Sequence, residues 1–285
     1  MVSLEKFRNH FKGFEDYYVI IGGTACAVLF ENYGEHFRVT KDIDMVVIME
    51  NIDIDFTRCF WDFIREAQYK SIYECKQDKK LYRFTNPKSE LYPKMIELFS
   101  RKPIEFPIDN NSHLTPIHID DDISSLSAIL LNEDYYLFLK KGIKIIDGLS
   151  ILDEAHLIPF KIKACLEIKE RVEKGERGQS RHIRKHRNDV LKLITLLYGN
   201  QKVELNSTIS KDMEQFIEYL KNEEISKDLI DKDTAIEMLE SIYFDCFLCK
   251  IASLCMTSMT LLQIFINWVV RRQNLCRLRL MHNRE

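Results

Sequence analysis

Asp42 and Asp44 stand two residues apart at the head of the apolar run Ile43, Met45, Val46, Val47, Ile48 and Met49. The run has the pattern of a strand, and strand alternation turns both carboxylates to one face, roughly 6 to 7 Å apart along the chain. At that spacing they can share one or two cations, and without cations they repel. Hard oxygen donors of this kind favour magnesium or manganese. Earlier in the chain, Gly22-Gly23-Thr24 follows the apolar run Tyr18-Val19-Ile20-Ile21, which predicts a buried strand ending where two glycines free the backbone. Ala25, Cys26, Ala27, Val28, Leu29 and Phe30 then predict a helix. Its first N–H groups and positive dipole end would lie at Gly23 and Thr24, where a phosphate fits. A third acid, Glu97, lies in the short strand pattern Met95–Phe99. On an exposed edge it would simply face water; beside an Asp-x-Asp pair it completes the three carboxylates a two-metal site uses.

Other elements must position these groups. Leu4, Phe7, Phe11 and Phe14 make the stripe of an amphipathic helix packing beside the first strand. Arg38 and Lys41 lie on the polar approach to the carboxylate strand, as phosphate-neutralising groups or as solvated loop charges. Phe56 to Tyr69 predicts a second helix, and Leu81–Phe84 a strand between it and the Glu97 strand. Ser124–Leu131 and Tyr135–Leu139 look like two further strands joined by a turn at Asn132-Glu133-Asp134. From Leu152 to Lys174 the pattern turns helical, broken only by Pro159, and helices are expected to follow through Asp189–Leu197, Ser210–Lys221 and Thr234–Cys249. The segment Glu173–Lys185, with Lys174, Arg177, Arg181, Arg184 and Lys185 and Arg187 just beyond, is the strongest basic patch: a solvated charge run or a surface for nucleic acid or triphosphate.

The chain has 285 residues, 46% of them hydrophobic, enough for one large domain or two ordinary ones. Two are expected: residues 1–150 with the strands and 151–248 all helical, followed by an apolar then basic tail at 249–285. A net charge of -3 excludes a globally basic nucleic-acid binder and leaves only local patches. Eight irregularly spaced cysteines read as reduced thiols of a cytoplasmic protein. Cys246-x2-Cys249 with Cys255 lacks the second pair of a zinc finger. Ile251–Val270 carries no charge over twenty residues, long enough to span a bilayer. Ser253, Thr257, Ser258, Thr260, Gln263 and Asn267 dilute it, so a buried helix is expected rather than a membrane span; a shifted reading frame would also produce such a tail.

With Gly22-Gly23, Asp42-x-Asp44 and Glu97 on successive strands, residues 15 to 200 resemble the nucleotidyltransferase superfamily with a polymerase-β-like core. Leu157-Ile158-Pro159-Phe160-Lys161-Ile162-Lys163-Ala164, Arg171 and Lys185-His186-Arg187-Asn188-Asp189-Val190 narrow that resemblance to the AbiEii/AbiGii toxins of bacterial toxin-antitoxin systems. The resemblance implies an α+β fold, a mixed-sheet nucleotidyltransferase core followed by a helical bundle. It implies transfer of a nucleoside monophosphate from an NTP to an acceptor hydroxyl with two Mg2+ or Mn2+ ions, with tRNA, protein and a small molecule all open as acceptors and a cognate antitoxin as partner. Asp42, Asp44 and Glu97 would be catalytic and metal-binding; Gly22, Gly23, Thr24, Lys161, Lys163 and Asp189 would bind the nucleotide. Here Glu97 stands where the superfamily commonly has Asp, and Thr24 where it often has Ser. Two alternatives stay open: a HEPN-like ribonuclease using Arg181 and His186, whose x4 spacing matches, and an inactive nucleotide-binding module.

Overall fold

The computed structural model describes residues 2–48, 50–76, 79–99, 129, 132–175, 180–198 and 201–244. Helix α1 (Val2–His10) precedes a 3-10 turn at Glu15–Tyr17 and strand β1 (Tyr18–Ile21). Phe7 and Phe11 are fully buried and meet the Tyr18 ring edge-on at 5.6 and 5.8 Å, a geometry that sets positive ring edges against negative faces. The expected stripe therefore packs beside the first strand. Helix α2 (Gly22–Asn32), β2 (Asp42–Val47), α3 (Ile54–Ala67), β3 (Lys70–Lys76), β4 (Lys79–Thr85) and β5 (Met95–Phe99) follow.

Residues 133–141 correct the sequence reading. Tyr135–Leu139 belongs to helix α4 (Glu133–Lys141), not to a strand. Asn132 is its N-cap, accepting from the N–H groups of Asp134 and Tyr135 at 2.9 and 3.4 Å, and acids lead while Lys140 and Lys141 close it, as the helix dipole favours. Tyr135, Tyr136, Phe138 and Leu139 are the buried set, spaced for a helical face rather than for alternation. The companion strand expected at Ser124–Leu131 lies outside the described residues except for Ile129, which is buried.

Two strands then close the sheet, β6 (Ile143–Ile146) and β7 (Leu149–Leu152). Their turn places Asp147 at φ 51° and Gly148 at φ 71°, the left-handed pair of a tight two-residue hairpin. The seven described strands are ordered β3-β4-β5-β2-β1-β7-β6. The β1–β2, β3–β4, β4–β5 and β6–β7 pairs are antiparallel, β2–β5 and β1–β7 parallel. This is the mixed sheet of an α+β fold, with the buried strands β1 and β2 at its centre.

Helix α5 (Glu154–Glu173) leaves β7 through Asp153, which caps it by accepting from His156 N–H at 2.7 Å. Helices α6 (Ser180–Ile194), α7 (Ser207–Lys221) and α8 (Lys232–Tyr243) complete the helical half. Pro159 does not interrupt α5. Its missing N–H would have bonded to the Ala155 carbonyl one turn back, and the buried Tyr243 hydroxyl of α8 donates to that oxygen instead, at 2.5 Å. A continuous set of buried side chains runs from Leu4 to Tyr243 across strands and helices. The expected tail, with Cys246, Cys249 and Cys255, lies outside the described residues, among which no helix is long and apolar enough to cross a membrane.

Candidate active site

Strand register carries the carboxylates to one place. Asp44 pairs with Ile21 of β1 on one side and with Glu97 of β5 on the other, and Glu97 pairs in turn with Arg83 of β4. Directly paired residues share a face, and Asp42, two before Asp44, shares it too. Asp42 is exposed, Asp44 half-buried and Glu97 buried. Burial raises the pKa of Asp42 and of Asp44. It also pushes Glu97 up, with the neighbouring Asp44 charge adding to the effect, to about 8. The Asp44 and Glu97 carboxyls sit at directly paired strand positions, and the charge of Asp44 disfavours ionisation of Glu97. Arg83 Nε lies 2.9 Å from Glu97 Oε1, a contact of charge and proximity without hydrogen-bond alignment.

The glycine turn lies against Asp44. Gly22 opens α2 at φ +69°, and a Cβ there would stand 1.8 Å from Asp44 Oδ2. At Gly23 a Cβ would meet Thr40 Cγ2 at 2.9 Å and Arg38 Nη2 at 3.4 Å. A side chain at Gly22 would displace Asp44 and strain the backbone, and one at Gly23 would require Thr40 to shift. Thr24 plays a different part from its neighbours. It is buried, and its hydroxyl reaches the Asp42 carbonyl at 2.5 Å and Thr40 Oγ1 at 3.2 Å. The hydroxyl thereby ties α2 to the start of the carboxylate strand.

From the helical half, Lys161 of α5 and Asp189 of α6 arrive together. Lys161 Nζ is 3.0 Å from Asp189 Oδ2, and Arg38 Nη2 is 3.2 Å from the same oxygen. Burial works against the charge of Asp189, but the Lys161 and Arg38 cations outweigh it and hold the carboxyl at about 2. Burial likewise works to lower Lys161, and Asp189 overcomes it, leaving the ammonium's pKa raised.

Lys163, two positions on, points elsewhere. Its Nζ is 3.1 Å from Asp212 Oδ1, and Asp212 Oδ2 accepts from the Tyr135 hydroxyl at 2.9 Å, so Lys163 joins α5 to α7 and is not brought to the carboxylates. A two-residue step on a helix turns the side chain by about 200°, to the opposite side.

A cleft of about 750 Å³ opens over this face, lined by Gly22, Gly23, Asp42, Asp44 and Glu97, with the cationic side chains Arg38, Lys41, Arg83, Lys94, Lys161 and Lys185 around them. Six cations about three carboxylates make a cleft for a polyanion that brings its own counter-ions. Leu157 and Phe160 give it an apolar wall. His186 also lines it; burial, with Lys161 and Lys185 nearby, lowers its pKa well below the usual value. Arg181, its partner in the ribonuclease spacing, is exposed and donates to His182 Nε2 at 3.4 Å. Arg83 and Lys94 had no signal in the sequence beyond their charge, since only strand pairing brings β4 beside β5.

No family model and no curated protein matches the sequence. Among solved structures, the chain is similar to an antigenic nucleotidyltransferase-like protein from Paracoccidioides brasiliensis, at 12% identity and a TM-score of 0.39, over 83% of this chain and 93% of that one. It is also similar to the antibiotic-resistance factor ANT(2'')-Ia, at 11% identity and a TM-score of 0.33, over 67% and 83%.

Among the described residues, no three Asp, Glu, His or Cys side chains already converge as a metal site. The donors nonetheless suit a hard divalent ion. Three carboxylates share one face, Asp44 Oδ2 occupies the hollow left by Gly22, and buried Glu97 Oε1 has no hydrogen bond.

Proposed function

We propose that this chain is a nucleotidyltransferase, moving a nucleoside monophosphate from an NTP to an acceptor hydroxyl. The observation that supports it is the placing of Asp42, Asp44 and Glu97 on one sheet face beside the Gly22-Gly23 turn, under a cation-lined cleft. In the reaction the acceptor hydroxyl gives up its proton to water, its oxygen bonds to the α-phosphorus, the bond from that phosphorus to the α–β bridging oxygen breaks, and pyrophosphate leaves. Magnesium or manganese held by Asp42, Asp44 and Glu97 would neutralise charge on the triphosphate and lower the pKa of the acceptor hydroxyl. The backbone N–H groups at Gly22 and Gly23, at the start of α2, donate to the β and γ phosphates. Lys161 and Arg38, both fixed by Asp189, balance the charge of the departing pyrophosphate. Leu157 and Phe160 keep water from that wall of the cleft.

The motifs around Leu157–Ala164 and Lys185–Val190 support the narrower reading as the toxin of an AbiEii/AbiGii-type toxin-antitoxin pair, with tRNA as acceptor and a cognate antitoxin as partner. The test is incubation of the purified protein with each labelled NTP, total RNA and magnesium. Label entering RNA is expected, and it should vanish in Asp44→Ala while circular dichroism stays that of the wild type. Undiminished transfer by that variant would overturn the assignment.

A further inference from the structure

Arg83 enters the floor of the cleft from β4, on the side of Glu97 away from Asp44, so Arg83, Glu97 and Asp44 form a row across three strands. The Arg83 and Glu97 side chains are only 16% and 6% exposed. At such depth a guanidinium 2.9 Å from a carboxylate interacts far more strongly than a surface pair. Yet neither Arg83 Nε nor Glu97 Oε1 has an aligned hydrogen bond. A buried carboxylate oxygen without an aligned donor still has lone pairs to give.

We infer that Arg83 is a positioning residue that holds Glu97 in line with Asp44 and, as a fixed cation, competes with a divalent ion for the same carboxylate. This rests on the two-metal reading of the site. A cation bound by Asp44 and Glu97 has the Arg83 charge beside it, and like charges in a partly desolvated site repel strongly. The nucleotide-free cleft therefore holds a divalent ion weakly. A triphosphate brings the negative charge that satisfies both cations, so metal and nucleotide enter together. Lys94, Lys161 and Lys185 also act on Asp42 or Asp44 across the cleft, but Arg83 is the cation in contact with Glu97, which makes Arg83 the residue that sets this order.

The test is titration of Mn2+ into the nucleotide-free full chain, with free Mn2+ followed by electron paramagnetic resonance. Arg83→Gln and Arg83→Met, two neutral variants, are expected to bind Mn2+ about tenfold more tightly than the wild type, in keeping with removal of one nearby charge. Arg83→Lys keeps the charge and should bind as the wild type does. Binding by every variant should weaken when Asp44→Asn is added. If Asp44→Asn weakens binding but neither neutral variant tightens it, or if Arg83→Lys tightens it as they do, this inference fails while the site reading stands. If Asp44→Asn changes no affinity, the ion lies elsewhere and both fail.

Discussion

Asp44 Oδ2 occupies the space that any side chain at residue 22 would need, 1.8 Å from where a Cβ would stand. The glycine turn and the carboxylate strand are therefore in direct contact, each shaped to the other. Gly22→Ala should show it. The left-handed backbone at φ +69° alone costs about 1 to 2 kcal/mol for an L side chain, and the clash must push Asp44 aside. A melting temperature several degrees lower and loss of nucleotidyl transfer are expected, read by circular dichroism and labelled NTP.

Asp189 supplies a pH signature. Its carboxyl titrates at about 2 in the folded chain against 3.8 when free, a depressed folded pKa. Its contribution to stability is present in full above about pH 4 and is lost as pH falls through 2, on the order of 2 kcal/mol for a shift of this size. Asp189→Asn removes that dependence and leaves Lys161 buried without its counter-charge, which costs about 3 to 5 kcal/mol. Urea unfolding of the two proteins between pH 2 and pH 7 should show a gap that narrows toward acid pH.

Lys161 and Lys163 should separate cleanly. Lys161→Met is expected to weaken NTP binding by more than tenfold, because the cation lines the cleft. Lys163→Met removes the partner of Asp212, so it should lower stability and leave NTP affinity within about twofold. Isothermal titration with a nucleotide, beside thermal melts, distinguishes the two.

Tyr243→Phe tests the proline compensation in α5. Without the hydroxyl, the buried Ala155 carbonyl opposite Pro159 has lost its donor, at a cost of about 1 to 3 kcal/mol. The loss should appear in denaturant midpoints, with transfer by the folded protein unchanged.

The central strands and their acids are legible in the amino-acid pattern alone. Tyr18–Ile21, Asp42–Val47 and Met95–Phe99 are apolar runs with unmistakable strand character, and alternation alone places Asp42 and Asp44 on one face. Two glycines before a helical run located the turn, because no other residue type tolerates φ +69° so readily. Tyr135–Leu139 is too short a run for its period to tell strand from helix, and Asn132 capping with the spacing of the buried positions makes it a helix. Partners distant in sequence come from the assembled fold. Strand order set Arg83 against Glu97, and packing of α6 on α5 gave Asp189 to Lys161 and Arg38. The same packing sent Lys163 to Asp212. Local periodicity fixes which face a residue lies on; which other chain segment meets that face depends on how sheet and helices bury their apolar surfaces together.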